Sequence, residues 1–321
     1  MNKLIIFIPC YNEEKSLPIT VRQIPKIIKN ISKIDIIVVD DGSTDKTIEV
    51  AKSLNLKILK HNQHIGLSKI FNTIVKYFKS TNYDLMCILD ADNQYKASDI
   101  NILIKELLEN NKDLVIGSRK IFKNRNMSFL KKFFQISGSK IVSLITNYNI
   151  PDVTSGFRLY KKVCFDNNFI IENSFSYTVE SLIIFSWKKI NLSSVYIDCN
   201  DEKLRPSRLF DGNLSYIKSQ TLVILDNFIK YFPMKFFSFI SALFFIPGLL
   251  ISFRYLYFLI NDIQGHVQSL ILASILIISS IIFLVLGILS RTLSKIDFKI
   301  NSHEKNEKKI SNYEIIENND L

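Results

Sequence analysis

The chain has 321 residues, of which 47% are hydrophobic and 22% charged, and its 41 Lys and Arg outnumber 30 Asp and Glu for a formal net charge of +11. This apolar content excludes a disordered chain, and four cysteines without a Cys-x-x-Cys pair argue against a disulfide framework or a zinc knuckle. The excess of positive charge favours an anionic partner: a nucleic acid, an anionic membrane surface or a phosphorylated substrate.

Short apolar runs alternate with helix-like stretches in the first part of the chain. We predict strands over residues 4–8, 34–39, 56–59, 85–89 and 114–116, and helices over 13–30, 44–54, 66–79 and 98–110. Strands that are apolar throughout and alternate with helices indicate a mostly parallel sheet with helices on both faces. The sequence therefore predicts an α/β fold whose ligands bind beyond the carboxyl ends of the strands.

Acidic clusters follow two of these predicted strands. Asp40 and Asp41 end the second strand, and Asp90 and Asp92 end the fourth. Two carboxylates two residues apart can reach one divalent cation, and Mg²⁺ or Mn²⁺ prefers oxygen ligands that it often shares with a diphosphate. A turn with a helix N-cap is the alternative for the first cluster, although it does not account for both aspartates.

A basic segment between Leu114 and Pro151 contains no acidic residue. Within it, bulky apolar residues recur at helical spacing over about residues 126–148, which is typical of an amphipathic helix on a membrane surface. A helix that packs on the sheet and exposes a solvated basic face is the alternative.

Two long apolar segments follow, over about residues 236–260 and 267–289. Each is long enough to cross a hydrocarbon core of about 30 Å, and each is apolar on every face, which disfavours two buried core helices. The loop between them has no Lys or Arg, whereas basic residues flank the pair on its other side, so both ends of the chain are predicted to be cytoplasmic.

We therefore divide the chain into three parts. Residues 1–232 form a cytoplasmic domain with surface helices at about 126–148 and 213–232, residues 233–290 form a transmembrane hairpin, and residues 291–321 form a tail. The tail is polar and charged, and we expect it to be disordered.

Three sequence blocks carry a resemblance to a known family. They are residues 7–14 (FIPCYNEE), 38–45 (VVDDGSTD) and 89–94 (LDADNQ), followed by 117–119 (GSR) and 152–158 (DVTSGFR). Their order and spacing resemble family 2 glycosyltransferases, and most closely the polyprenyl-phosphate sugar transferases of the dolichol-phosphate mannose synthase type. The resemblance covers about residues 3–235, and the two apolar segments match a subgroup of that family.

The resemblance implies a GT-A fold and a UDP- or GDP-linked sugar as donor, with inversion at the transferred carbon. It places the donor at Pro9, Tyr11, Glu13, Asp40, Asp41, Asp90, Ala91, Asp92 and Gln94. Among these, Asp92 is implied to bind Mg²⁺ or Mn²⁺ with Gln94 as a further ligand, and Asp90 to hold the ribose or the water shell of the metal.

The acceptor side follows from charge. A lipid monophosphate is already anionic at neutral pH, so its attack needs positioning and charge stabilisation instead of a general base. Basic side chains must hold two anionic groups together, and the predicted acceptor-phosphate residues are Arg119, Arg205, Ser207 and Arg208. We predict Asp92, Arg119 and Arg208 to be catalytic; the block at 205–208 matches the family pattern imperfectly, which favours Arg208 over Arg205.

Other polar residues leave alternatives open. Asp152 and Glu180 either orient the sugar or acceptor, or serve as a helix cap and a salt bridge. His61 and His64 are predicted to form a solvated loop pair instead of a metal site.

The sequence thus predicts an integral membrane glycosyltransferase, which in a bacterial cell would lie in the inner membrane. It would move one sugar from a nucleotide donor to an undecaprenyl or dolichyl phosphate at the cytoplasmic face. The alternatives are another membrane acceptor, such as a lipid hydroxyl or a lipid-linked glycan, and a non-catalytic nucleotide-binding scaffold. Nucleic-acid binding is disfavoured because the positive charge lies beside apolar, membrane-suited segments. Pairing of two chains through the hairpin stays open.

Overall fold

The computed structural model describes residues 1–123, 129–165, 169–171, 177–200, 213–261, 267–304 and 313–316. The chain divides into two compact units. The first comprises residues 1–224 together with 305–321, and the second comprises residues 225–304.

An eight-stranded sheet forms the centre of the first unit. Its strands are β1 (Asn2–Cys10), β2 (Ile31–Asp40), β3 (Lys57–Lys60), β4 (Leu85–Ile88), β5 (Leu114–Arg119), β6 (Arg158–Lys161), β7 (Leu192–Ile197) and β8 (Glu314–Ile316). Their order across the sheet is β7-β5-β6-β4-β1-β2-β3-β8. Only β6 and β8 run against the other described strands, which confirms the predicted α/β fold with a mostly parallel sheet.

Helices cover this sheet. In the first unit they are α1 (Leu17–Arg22), α2 (Thr47–Ser53), α3 (Leu67–Ser80), α4 (Ile100–Glu109), α5 (Phe129–Thr146) and α6 (Tyr177–Trp187), and α7 (Asn213–Tyr231) follows them. The apolar face of α3 shows why the sequence folds in this way. Ile70, Ile74 and Phe78 recur every four residues and are all at most 1% exposed, so one stripe of the helix is buried.

Some predicted elements differ from the structure. The helix predicted over residues 13–30 is confined to α1, because Pro25 lacks the backbone N–H that continues a helix and restricts the residue before it. Strands β6 and β7 were not among the predicted strands. In β7 the polar pair Ser193 and Ser194 interrupts the apolar run that would have marked a buried strand.

Two parts of the tail, which we expect to be disordered, have regular secondary structure in the described residues. Helix α9 (Val267–Glu304) extends beyond residue 291, and β8 pairs antiparallel with β3, with Leu59 opposite Ile315. The outer edge of β3 would otherwise leave backbone N–H and C=O groups unpaired. The short apolar pair Ile315 and Ile316 allows this segment of the tail to add a strand there.

The second unit is dominated by two long apolar helices, α8 (Pro233–Ile260) and α9. They contain 28-residue segments, Pro233–Ile260 and Val267–Ser294, that are long and apolar enough to cross a membrane, and only 11% and 17% of an apolar 18-residue stretch in each are buried. At about 1.5 Å per residue, each exceeds the thickness of a hydrocarbon core. Small residues lie between the two helices: Ser241 and Ser280 share a 2.8 Å hydrogen bond, as is common where membrane helices approach closely.

Candidate active site

The carboxyl ends of three neighbouring strands bring the sequence blocks together. Cys10 at the end of β1 lies beside Asp40 at the end of β2, and β4 flanks β1 on its other side. The loops after these strands contain residues 11–16, 41–46 and 89–96. The structure therefore places all three acidic or polar blocks at one edge of the sheet.

The first two blocks are joined by hydrogen bonds. The backbone N–H of Asn12 donates to Ser43 Oγ at 2.9 Å, and the N–H of Thr44 donates to Asn12 Oδ1 at 2.7 Å. Asn12 has a φ of 55°, a left-handed conformation that asparagine tolerates better than most residues. Glu13 is buried, and its N–H donates to Thr47 Oγ1 at 2.7 Å. Several polar residues of these blocks thus shape the loops themselves.

Asp40 carries an oxygen without a hydrogen-bond partner in the described part of the chain. Its side chain is fully buried; Oδ2 accepts the N–H of Ser43 at 3.2 Å, whereas Oδ1 has no partner among the described residues. Burial raises the pKa of Asp40, and the hydrogen bonds from Ser43 oppose that rise. A buried carboxylate oxygen without a partner is costly, and a donor group of a ligand would remove that cost.

The carboxylate of Asp41, in contrast, finds its hydrogen-bond donors in the loop over residues 61–66. It accepts the N–H of Ile65 at 2.7 Å, the N–H of Gly66 at 3.1 Å and Nδ1 of His64 at 2.9 Å. Burial raises the pKa of Asp41, and the donors from this loop lower it. Gly42 permits the close approach: its φ is 72°, and a Cβ there would lie 2.5 Å from the backbone carbon of Gln63.

His64 is therefore a partner of predicted site residues. Its ring stacks on Tyr11 with centroids 4.2 Å apart and an angle of 28° between the planes. His61 is buried, and burial lowers its pKa against the opposing charges of Asp41 and Asp40. This stack could not be predicted from the sequence, because the two rings are 53 positions apart in the chain and meet only through the sheet topology.

The turn after β4 presents Asp90, Ala91, Asp92 and Gln94. Oδ1 of Asp92 accepts the N–H of Gln94 at 3.1 Å, and the carbonyl of Ala91 accepts Thr20 Oγ1 at 3.0 Å. Gly156 lies against the first aspartate, since a Cβ there would come within 2.7 Å of Asp90 Oδ2. The turn is thus fixed from several sides before any ligand binds.

A further anchor links this turn to the segment after β7. Asn200 Nδ2 donates to the carbonyl of Asn93 at 2.9 Å and to the carbonyl of Tyr95 at 3.1 Å. Asn93 has a φ of 58°, so the turn depends on a residue that tolerates the left-handed region. The predicted residues Arg205, Ser207 and Arg208 lie in residues 201–212, outside the described part of the chain.

These residues fit a divalent cation that is shared with a substrate. Asp90, Asp92 and Gln94 offer only hard oxygen donors, the type that Mg²⁺ and Mn²⁺ prefer. No group of three His, Cys, Asp or Glu that could hold a metal occurs among the described residues. The protein alone therefore supplies two carboxylates and an amide, and a diphosphate is the natural source of the remaining ligands.

Arg119 occupies the centre of a buried network at the end of β5. Its Nε donates to Asp152 Oδ2 at 2.6 Å, and its Nη2 donates to Asp152 Oδ1 at 3.1 Å and to Thr154 Oγ1 at 2.9 Å. Its Nη1 donates to Gln94 Oε1 at 2.9 Å. Asp152 is fully buried and the Arg119 side chain is only 10% exposed.

This network lowers the pKa of Asp152. Burial alone would raise the pKa of Asp152, but the charge and hydrogen bonds of Arg119, with further bonds from Thr154 and Gln135, hold that pKa below its ordinary value. Of the alternatives that the sequence left open for Asp152, the structure shows an ion pair. Arg119, predicted as a phosphate ligand, uses its guanidinium to join Asp152 and Thr154 to Gln94.

Arg158 stabilises the loop that carries Asp152. It is fully buried; its Nε donates to the carbonyl of Ser155 at 2.8 Å and its Nη2 to the carbonyl of Val153 at 2.9 Å. Glu180 lies on α6 and is also buried. Pro9 lies within β1, next to the strand end.

A mixed sheet covered by helices, with acidic turns at its carboxyl edge, is the arrangement of the GT-A fold. The chain belongs to glycosyl transferase family 2, whose sequence profile matches residues 5–169. It is therefore an enzyme of the glycosyltransferase class.

Three curated relatives fit this assignment. A UDP-N-acetylglucosamine–dolichyl-phosphate N-acetylglucosaminyltransferase of Methanococcus voltae is 30% identical over 61% of this chain and 85% of its own length. A dolichol-phosphate mannosyltransferase of Pyrococcus furiosus is 29% identical over 59% of this chain and 54% of its own. An undecaprenyl-phosphate mannosyltransferase of Micrococcus luteus is 27% identical over 50% of this chain and 66% of its own. The chain thus spans less than two thirds of two of these relatives.

Among solved structures, glucosyl-3-phosphoglycerate synthase from Mycobacterium tuberculosis, in complex with Mn²⁺, UDP and glucosyl-3-phosphoglycerate, superposes with a TM-score of 0.55. The match covers 72% of this chain and 80% of that one at 14% identity, so it supports the fold alone.

Proposed function

We propose that this protein is an inverting glycosyltransferase that moves one sugar from a nucleotide-sugar donor to a polyprenyl phosphate at the cytoplasmic face of a membrane. The observation that carries the proposal is the combination of Asp90 and Asp92 at the carboxyl edge of the sheet with two apolar helices in the same chain. Three curated relatives with polyprenyl-phosphate names support the acceptor class.

The donor would lie along the edge formed by β2, β1 and β4. The unpartnered Oδ1 of Asp40 suits an N–H or hydroxyl of the nucleoside, and Asp90 and Asp92 suit a cation at the diphosphate. When bound, Mg²⁺ or Mn²⁺ would neutralise the charge of the departing nucleoside diphosphate. The residues of this chain would hold the donor in line with the acceptor; UDP- and GDP-sugars are both compatible with this edge.

The state of Asp152 disfavours one of the candidate bases, Asp152 and Glu180, that a lipid hydroxyl acceptor would need. A hydroxyl nucleophile needs a general base, and a base must be able to take up a proton near neutral pH. Asp152 is fully buried, is paired with Arg119 and has a pKa held below its ordinary value, which makes it a poor base. A phosphate monoester carries its own negative charge and needs none.

The described part of α5 supports a membrane surface for the acceptor. This helix exposes large apolar side chains, namely Phe133, Phe134, Ile141 and Leu144. Exposed apolar residues on a helix without acidic residues suit an interface with anionic lipid. The absence of Lys and Arg between the two apolar helices supports a cytoplasmic position for both ends of the chain.

A donor panel tests the proposal. Purified protein in detergent is incubated with UDP- and GDP-sugars, Mn²⁺ and a short polyprenyl phosphate, and the lipid product is identified by mass spectrometry. We expect one donor to yield a lipid-phosphate sugar and Asp92→Asn to abolish it. Asp198→Asn, an exposed aspartate on the same domain, is the matched control. Transfer to a polyprenol but not to its phosphate would contradict the proposal.

A further inference from the structure

One side chain links α5 to the buried network of Arg119. Gln135 Nε2 donates to Asp152 Oδ1 at 3.0 Å and to Thr154 Oγ1 at 2.7 Å. The amide nitrogen of Gln135 therefore donates to both groups. The same helix exposes Phe133 and Leu144, which makes it the element that we place at the membrane surface.

The two groups that Gln135 holds are the groups that orient Arg119. Asp152 and Thr154 together accept the Nε and Nη2 donors of Arg119, at 2.6 to 3.1 Å. This leaves Nη1 directed at Gln94 Oε1, at 2.9 Å. The N–H of Gln94 in turn donates to Asp92. The hydrogen bonds are therefore continuous from α5 to the carboxylate turn.

The hydrogen bonds of this network lie in the interior of the protein. Asp152 is fully buried and Arg119 is 10% exposed, so water cannot readily replace a lost partner. Buried polar networks of this kind are rigid when every member is satisfied and rearrange when one donor is removed. Substitution of a group that hydrogen-bonds to a metal ligand commonly changes the affinity for the metal by about 10- to 100-fold.

We propose that Gln135 is a positioning residue for the metal and donor site: by holding Asp152 and Thr154, it fixes Arg119 and thereby the amide of Gln94. This inference rests on the proposed function, because it takes Gln94 and the neighbouring aspartates to be the metal site.

The test is the affinity of the full-length protein for Mn²⁺ in detergent micelles, measured by the loss of the free Mn²⁺ electron paramagnetic resonance signal with saturating UDP or GDP. Gln135→Met keeps the length of the side chain but removes both donors. We expect its dissociation constant for Mn²⁺ to rise about 10-fold, the lower end of the range for such supporting groups. Lys140→Ala, an exposed substitution on the same helix, is the matched control and should leave it unchanged.

A second variant covers the case in which Gln135→Met folds poorly. Thr154→Val is close in shape to threonine and removes the hydroxyl that Gln135 and Arg119 share. We expect it to weaken Mn²⁺ binding in the same direction. For both variants, the Mn²⁺ concentration for half-maximal transfer should rise while the rate at saturating Mn²⁺ stays within about two-fold of wild type, a split that simple misfolding does not produce.

The outcomes separate the two claims. Wild-type binding of Mn²⁺ with an unchanged affinity in both Gln135→Met and Thr154→Val overturns the role of Gln135 and leaves the proposed function intact. An equal loss in Lys140→Ala also overturns it, because the effect would then belong to the helix as a whole. A wild-type protein that binds no Mn²⁺ with either nucleotide overturns the proposed function, and this inference with it.

Discussion

Replacement of Asp152 by asparagine tests whether the Arg119 network is a main support of the site. Asp152 Oδ2 accepts two hydrogen bonds from Arg119, and Oδ1 accepts from Arg119, Gln135 and Thr154. An asparagine has only one side-chain oxygen. In the place of Oδ1, this oxygen can still accept the larger number of hydrogen bonds, those from Arg119, Gln135 and Thr154. Its amide then faces the N–H and Nε of Arg119, two donors with no acceptor.

The magnitude follows from burial. Removal of one partner of a buried ion pair typically costs about 3–5 kcal/mol, because the remaining charge stays buried without compensation. At about 2–4 °C per kcal/mol for a domain of this size, Asp152→Asn should lower the melting temperature by roughly 10 °C. Asp198→Asn removes the exposed ion pair with Lys120 and should cost less than about 1 kcal/mol.

The assay is thermal unfolding of the full chain in detergent, followed by intrinsic fluorescence. The double variant Arg119→Met with Asp152→Asn removes the uncompensated charge, so it should be more stable than Asp152→Asn alone. An Asp152→Asn protein within about 1 kcal/mol of wild type would refute the argument. A double variant no more stable than the single one would show that the charge is not the cause.

Three further predictions follow from the same site. The pKa of Asp152 is lower in the folded than in the unfolded protein, so its ionised form stabilises the fold above the unfolded pKa of about 4. This stabilisation is lost as the pH falls through the folded pKa. Thermal unfolding scans between pH 6 and 3 should therefore show a loss of stability in wild type that is smaller in Asp152→Asn. Gly156→Ala places a Cβ 2.7 Å from Asp90 Oδ2 and should reduce transfer about 10-fold or more with little change in melting temperature, whereas unchanged kinetics would mean that Asp90 moves freely. Arg208→Ala should raise the KM for polyprenyl phosphate several-fold more than the KM for the donor, and equal changes in steady-state kinetics would contradict its acceptor role.

Much of the sheet could be predicted because its strands are buried on both faces. The run that forms β1 is apolar from Leu4 to Ile8, and such runs stand out in a sequence. The elements that were missed lack this mark: β7 contains two serines, and β8 has only Glu314–Ile316. The pairing of β8 depends on an open sheet edge, which is a property of the fold and not of the local sequence.

The position of the candidate residues was predictable where the local pattern marks the end of a strand. Asp90 and Asp92 follow a strand directly, so their place at the sheet edge could be read from the sequence. His64 and Gln135 could not be identified in this way, because their partners Asp41 and Asp152 lie 23 and 17 residues away and are reached only through the tertiary fold. Contacts between residues so far apart in the chain leave no periodic pattern in the sequence.

The contacts of Arg119 differ from those that the sequence predicts. Charge balance around two phosphates predicts a free guanidinium fork, and an arginine after β5 fits that expectation. In the structure, the fork is occupied by Asp152, Thr154 and Gln94, so its charge is largely compensated within the protein. The charge of Arg119 could still attract a phosphate, but a direct bidentate contact would require Arg119 to release the buried carboxylate of Asp152. If the acceptor is a phosphate, as proposed, a basic side chain outside this network would serve it better, which favours Arg208 over Arg119.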